Sequence, residues 1–376
     1  MMTPSKHLGA SLLIAIPLLG AILAGLIGYQ PPPAERIPTP HPPQSVETIN
    51  PKLGVHTRLA DEIETPKINR SLRMVREMGA PWIVEIFPWS YIESEPGRFD
   101  WQHADIVVNQ ARQQGLRIIA RLDIVPAWAR PPDSSTRFLD ISHYADYARY
   151  VEAFAQRYRG RIDHIVIWNE PNLAFEWGGR IPDPGAYVAL LREVYPRVKQ
   201  ANPNALVLTA GLAPTTEPPE SGRAYNDLLY LQALYDAGGG PYFDAVAAHT
   251  YGWQAPFSQN PDPARINFRR VELLRRVMER NGDQHKLIYI TEAGWNDHPR
   301  WIHAVRPAER IRYTLEACQW AESQDWLKVL AFWQFRMPWS GASFQVYYNF
   351  VGYDFTPRPI YLDIQRYTQG APPLPP

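Results

Sequence analysis

Short β-branched runs alternate with longer stretches whose apolar residues recur at three- and four-residue spacing, on a repeat of roughly 40 residues, and that alternation leaves few folds open. The runs predict strands near Leu53 to His56, Trp82 to Phe87, Arg117 to Asp123, His164 to Glu170, Ala205 to Gly211, Asp244 to Tyr251, Lys286 to Glu292 and Val329 to Phe335. Helical patterns fall between them, as in Ile63 to Met78, Tyr144 to Tyr158, Pro184 to Gln200 and Ile266 to Arg280. Eight strands, each followed by a helix, in one domain of about 320 residues predict an α/β fold of the (β/α)8 barrel kind. A doubly wound sheet also alternates, but no G-x-G-x-x-G follows a strand and the sequence holds no P-loop.

Two of these runs end on an acid. Ile165-Val166-Ile167-Trp168-Asn169-Glu170-Pro171-Asn172 reads as a buried strand that stops at a carboxylate and then turns, and Leu287-Ile288-Tyr289-Ile290-Thr291-Glu292-Ala293-Gly294-Trp295 has the same grammar. A carboxylate at the end of a hydrophobic strand is costly to bury unless it is paired, so its presence points to a site. One such glutamate alone is as readily a salt-bridged or solvated residue. Two, on the fourth and seventh strands of a barrel, face the same mouth. Carboxyls roughly 5 to 5.5 Å apart are what glycosidic cleavage with retention requires: one protonates the departing oxygen and the other attacks the anomeric carbon. Two charges that close resist joint ionisation, which separates their titrations.

Composition excludes several other functions. The 376 residues carry a formal net charge of +0 and a pI near 7.2, giving no electrostatic footprint for nucleic acid or an anionic lipid surface. Thirteen tryptophans and twenty tyrosines exceed ordinary packing needs, and aromatic faces are what sugar rings stack on. Cys318, the single cysteine, excludes an intrachain disulfide and is expected as a small buried hydrophobe inside a helix. No His-Glu-x-x-His or comparable cluster calls for a metal, and the chemistry above needs no cofactor. The charge-rich surface from Arg265 to Arg280 reads as a solvated face. No oligomerisation signal is evident, so a monomer is expected.

Ahead of the barrel, Leu8 to Tyr29 is uncharged and apolar, long enough to cross a hydrocarbon core of roughly 30 Å, with Lys6 just before it. Without a small-x-small cleavage site around Ala21 to Gly28, it is expected to be an uncleaved anchor, residues 1–29, with the barrel outside the cytoplasm. Cleavage would instead release a secreted protein. Residues 30–50 are proline-rich and expected as a semi-extended stalk, residues 51–370 as the catalytic domain, and 371–376 as an unfolded tail.

Trp168-Asn169-Glu170-Pro171-Asn172 and Ile290-Thr291-Glu292-Ala293-Gly294-Trp295 resemble the acid/base and nucleophile signatures of the (β/α)8 glycoside hydrolases with catalytic glutamates on strands four and seven. That clan includes cellulase-like family 5 and β-xylosidase-like family 39. The likeness runs from about Gly54 to Tyr367, supported by Pro88-Trp89, Ile92-Glu93, Glu95 to Trp101 and Pro126-Ala127-Trp128-Ala129. It implies Glu170 as general acid/base, Glu292 as nucleophile, Asn169 on the sugar 2-hydroxyl, and Trp333 as a platform under the reacting sugar. His249-Thr250-Tyr251 resembles the family's His-x-Tyr, whose tyrosine keeps the nucleophile ionised. His56, Arg121, Asp123, Trp128 and Trp295 are further candidates for holding substrate. Glu85 is expected either to pair with Arg121 or to sit at the rim; relatives often carry an arginine near this level, and strand two has none. Phe175, Trp177, Trp253, Trp301 and Trp339 also fall after strands, at the same end. The expected function is a membrane-anchored retaining glycosidase acting on a β-linked oligo- or polysaccharide. Its rivals are a catalytically silent glycan-binding scaffold and a transglycosylase using the same intermediate.

Overall fold

A computed structural model describes residues 42–372 apart from residue 342. The expected anchor, most of the stalk and the end of the tail lie outside the described residues. Among the described residues no helix is long and apolar enough to cross a membrane.

The eight strands are β1 (Leu53–His56), β2 (Trp82–Pro88), β3 (Arg117–Asp123), β4 (His164–Ile167), β5 (Leu206–Leu208), β6 (Val246–Tyr251), β7 (Ile288–Gly294) and β8 (Leu327–Phe332). All pair in parallel in the order β5-β4-β3-β2-β1-β8-β7-β6. The ring closes through parallel bridges Leu208 to Ala245 and Leu212 to Ala248. Helices Thr65–Glu77, Gln102–Gln113, Tyr144–Arg157, Pro184–Ala201, Asp227–Asp236, Val271–Arg280, Pro307–Glu322 and Pro359–Thr368 follow the strands in turn. This is the expected (β/α)8 barrel.

Alternation along each strand sorts side chains into two cores. Trp82, Val84, Ile119, Val166, Leu208, Ala247, Tyr289 and Val329 fill the interior, while neighbours such as Ile83, Ile165 and Ile290 pack outward against the helices. Trp82 needs room there, which Gly54 supplies: a Cβ on Gly54 would stand 3.0 Å from that of Trp82. His164 meets the edge of Trp82 with ring centroids 5.1 Å apart, and burial pushes its pKa down to about 4, so it packs as a neutral ring.

β5 and β8 end at Leu208 and Phe332, short of the expected Gly211 and Phe335. β4 stops at Ile167 because Trp168 turns left-handed, with φ 76°. The region from Arg265 to Arg280 is not all solvated: Arg270 is buried against Asp227, with Nη2 2.8 Å from Oδ1, and Arg275 donates to the carbonyls of Gln284 and Lys286. Residues 44–50, expected in the stalk, are tied to the base of the barrel. Gln44 donates its N–H to the carbonyl of Gln113 at 3.0 Å, and Ile49 to that of Thr368 at 2.8 Å. Cys318 is buried in the helix Pro307–Glu322, where burial raises its thiol pKa.

Candidate active site

Glu170 reaches the mouth through a strained turn. Trp168 and Glu170 both take positive φ, 76° and 39°, a conformation that costs a non-glycine residue about 1 to 3 kcal/mol. The buried Trp168 side chain pins the turn by donating Nε1–H to the carbonyl of Glu176 at 2.9 Å, and the Glu170 N–H is held by the Gly211 carbonyl at 3.1 Å.

Glu292 is brought in by a bulge. Ala248 pairs with Ile290, yet His249 pairs with Glu292, so β7 carries one extra residue, Thr291. Tyr289 fills the barrel interior, and strict alternation from it would aim Glu292 at the helices. The bulge resets that parity and turns Glu292 into the mouth, where it lines the same cavity as Glu170.

An oxygen of Glu170, an oxygen of Glu292 and a ring nitrogen of His249 all lie within 4.8 Å of one another. The Glu292 carboxylate is held on both oxygens: Arg121 Nη1 donates to Oε1 at 2.8 Å and the Tyr251 hydroxyl donates to Oε2 at 2.8 Å. Burial alone would raise its pKa, but His249 and Arg121 outweigh burial and keep it well below the usual carboxylate range. Tyr251 is pushed the other way, by burial and by the Glu292 charge, so its hydroxyl keeps its proton. His249 Nδ1 lies 2.8 Å from Glu170 Oε1 and 3.7 Å from Glu292 Oε2. Burial disfavours the imidazolium, yet the two carboxylates overcome it and raise the His249 pKa.

The same Arg121 nitrogen also donates to Asn169 Oδ1 at 2.8 Å, which fixes the amide orientation and leaves the Asn169 NH2 as its donor. From Arg121 a chain of charges leads outward. Asp123 Oδ2 lies 3.1 Å from Arg121 Nε and 2.7 Å from Arg137 Nη1, and Arg137 Nε lies 3.1 Å from Glu176 Oε2. Glu176 lines the cavity, and burial, only partly opposed by Arg137, pushes its pKa up to about 7.

The cavity is about 940 Å³, within the range of small-molecule sites. Trp333 and Tyr348 form part of its wall with rings 5.3 Å apart, and Trp301 stacks on Phe344 at 4.8 Å. Phe175, Trp253 and Trp339 complete an aromatic rim.

The structure thus brings Glu170, Glu292, Asn169, Arg121, Tyr251 and Trp333 to one cavity. Five other candidates for touching substrate are placed elsewhere. His249 is buried beneath the cavity and meets the carboxylates. His56 is fully buried; its Nε2 lies 3.8 Å from Glu292 Oε1, and burial together with Arg121 pushes its pKa down to about 3. Asp123 is fully buried between two arginines. Trp128 points to the core, its Nε1–H donated to the carbonyl of Glu93 at 2.9 Å. Trp295 stacks on Phe268 at 4.7 Å inside the outer core. Trp177, too, is core, 1% exposed. Glu85 neither pairs with Arg121 nor reaches the rim; it accepts the N–H groups of Leu59 and Ala60 at 3.0 and 3.1 Å. Among the described residues the arginine that reaches Glu292 is Arg121, on strand three. Arg58, Arg137, Glu176, Phe344 and Tyr348 also line the cavity; Arg58 and Arg137 sit in irregular segments and the other three in 3-10 turns of three to five residues, Phe175–Trp177 and Phe344–Tyr348, too short for a periodicity to place them.

Glu170, His249 and Glu292 carry metal-ligand atoms, but their donors are already engaged. A cation there would have to break the Glu170 to His249 bond and lie close to the Arg121 guanidinium.

No family model matches the chain, and no curated protein matches its sequence. Solved structures do match. A family 39 glycoside hydrolase from the gut symbiont Bacteroides cellulosilyticus superposes with TM-score 0.66 at 20% identity, over 85% of this chain and 64% of that one. The GH39 enzyme of Xanthomonas axonopodis gives TM-score 0.60 at 15% identity, over 87% and 69%. The barrel is one that glycoside hydrolases share. Xylanase 10B from Thermotoga maritima matches with TM-score 0.55 at 14% identity, over 86% of this chain and 97% of its own length.

Proposed function

We propose that the chain is a retaining glycoside hydrolase that cleaves a β-linked oligo- or polysaccharide by double displacement. The observation that carries this reading is the pair of mouth carboxylates with oxygens within 4.8 Å, one of them, Glu292, held ionised by a cation and a hydroxyl. Glu292 attacks the anomeric carbon and Glu170, steadied by His249, gives its proton to the departing oxygen. The covalent glycosyl-enzyme is then opened by a water that Glu170 deprotonates. Asn169 donates its amide N–H to the 2-hydroxyl, and Trp333 underlies the sugar. The β-linkage comes from the resemblance of the two glutamate motifs.

Glu292→Ala is expected to lower turnover of an activated aryl glycoside by roughly 10⁴-fold or more. Azide should restore it as a glycosyl azide of inverted configuration. Glu170→Ala should spare the first step with an activated leaving group and slow the second. Full activity in both variants would refute the assignment.

The reading includes an uncleaved anchor at Leu8 to Tyr29 that holds the barrel outside the cytoplasm, supported by the apolar run and by Lys6 before it. Alkaline carbonate should leave the full-length protein with the membrane pellet; release into the supernatant would refute the anchor.

A further inference from the structure

A second cavity of about 670 Å³ opens beside the first. Its walls are the turn after β1, the C-terminal half of β2 and residues between Tyr91 and Val107. Trp339, from the loop after β8, lines both cavities. Arg58 and Asp61 continue the ridge between them: Arg58 lines the first, Asp61 the second, and Arg58 Nε donates to Asp61 Oδ2 at 2.9 Å while its guanidinium lies 5.3 Å from the Trp339 ring centroid. The ridge is thus a braced aromatic shelf.

Two large rings stand open to solvent here, Tyr91 at 59% and Trp339 at 44% exposure, with Ile63 at 88% beside them. Exposed rings at one concave place, interspersed with the polar Asp61, Asp100, Gln102 and His103, are the mixture that stacks a sugar face and meets its hydroxyls. Among the described residues the lining holds no lysine or arginine. In the first cavity each arginine is matched by a carboxylate, Arg58 by Asp61, Arg121 by Glu292 and Arg137 by Asp123. Neither cavity therefore offers a spare cation to an acidic sugar.

We propose that this second cavity is a distal subsite for the same saccharide, so that the substrate is a neutral chain longer than a disaccharide, running from the reacting pair across Trp339 to Tyr91. The proposal rests on the glycosidase reading and adds chain length and charge to it. The occupant is the substrate chain because the two cavities share a wall with the candidate active site and the shelf between them is aromatic.

The test is a ladder of β-linked gluco-, manno- and xylo-oligosaccharides from disaccharide to hexasaccharide, assayed with the wild-type and with Tyr91→Ala. The wild-type kcat/KM should climb with length, and Tyr91→Ala should cut the hexasaccharide-to-disaccharide ratio roughly tenfold. Ala60→Trp, which fills the cavity from its wall, should do the same. A ratio that stays at the wild-type value in both variants would overturn the subsite while leaving the glycosidase reading intact. So would an equal gain from a long alkyl glycoside, which would make the cavity an aglycone pocket. If nothing on the ladder is cleaved, calorimetric titration of the hexasaccharides decides the subsite by itself: binding lost in Tyr91→Ala supports it, and no binding to the wild-type overturns it.

Discussion

At the residue scale one guanidinium nitrogen governs two parts of the site. Arg121 Nη1 stands 2.8 Å from Glu292 Oε1 and 2.8 Å from Asn169 Oδ1, so a single group both helps to hold the Glu292 carboxylate ionised and fixes the aim of the Asn169 amide. Glu292 sits in a place that by burial alone would favour its protonated form, and Arg121 is one of the charges that reverse this. Its lowered pKa means that Glu292 stays ionised well into acid, and activity on that limb is lost only as pH falls through the lowered value. Arg121→Met keeps the length of the side chain and removes the charge. The acid limb of kcat/KM for an aryl glycoside should then move to higher pH, and kcat should fall about 10²-fold or more. The pH-rate profile checks this; an unmoved acid limb would show that Tyr251 and His249 hold Glu292 ionised without help.

At the element scale the mouth depends on two backbone irregularities that sequence periodicity does not carry. The eight strands and their helices were legible because a buried parallel strand must be apolar on both faces and the helices must show one apolar stripe. The glutamates were legible as charges that interrupt such strands. The bulge was not, because Thr291 is as good a strand residue as its neighbours, and only pairing against β6 shows it to be surplus. The same limit applies to His56, Asp123, Trp128 and Trp295, which the sequence places near strand ends as candidate sugar contacts: proximity to a strand end is written in the sequence, whereas the direction of the side chain is not. Gly211, in the loop after β5, is the element-level support for Glu170. Its carbonyl accepts the Glu170 N–H, and a Cβ placed on it would come within 2.3 Å of His249 Nε2. Gly211→Ala should therefore push His249 off Glu170, costing about 1 to 3 kcal/mol of stability and, in protein that remains folded, far more activity than that loss of stability explains. Gly160→Ala is the control: φ is +71° there but nothing lies within 4 Å, so it should cost about 1 kcal/mol and leave kcat alone. Thermal melts and aryl glycoside assays of the two variants separate strain from displacement; equal activity in both would show that His249 does not position the acid.

On the scale of the whole molecule, the barrel holds the Glu170 and Glu292 cavity at one end and fastens the first and last of its described segments at the other. Asn50, fully buried just ahead of β1, donates Nδ2–H to the carbonyl of Cys318 at 3.2 Å and to the Tyr367 hydroxyl at 3.1 Å, while its Oδ1 accepts the N–H of Lys52 at 3.0 Å. Lys52 in turn places its ammonium on the carbonyls of Ala321 and Gln324, at 2.9 and 2.7 Å, capping the C-terminal end of the helix Pro307–Glu322 where a cation is favourable. These bonds join the entry of the first strand to the last two helices and so hold the ring shut across its latest-made and earliest-made parts. Asn50→Ala strands a buried carbonyl and N–H and should lower stability by about 1 to 3 kcal/mol. A fragment beginning at Pro43 should melt higher than one beginning at Pro51, since only the first retains Asn50 and the bonds of Gln44 and Ile49. None of these groups lines either cavity, so KM and kcat measured below the melting range should be unchanged. If kcat fell in step with the melting temperature, the base and mouth would behave as one mechanical unit, and the separation of stability from catalysis expected of this barrel would not hold for this chain.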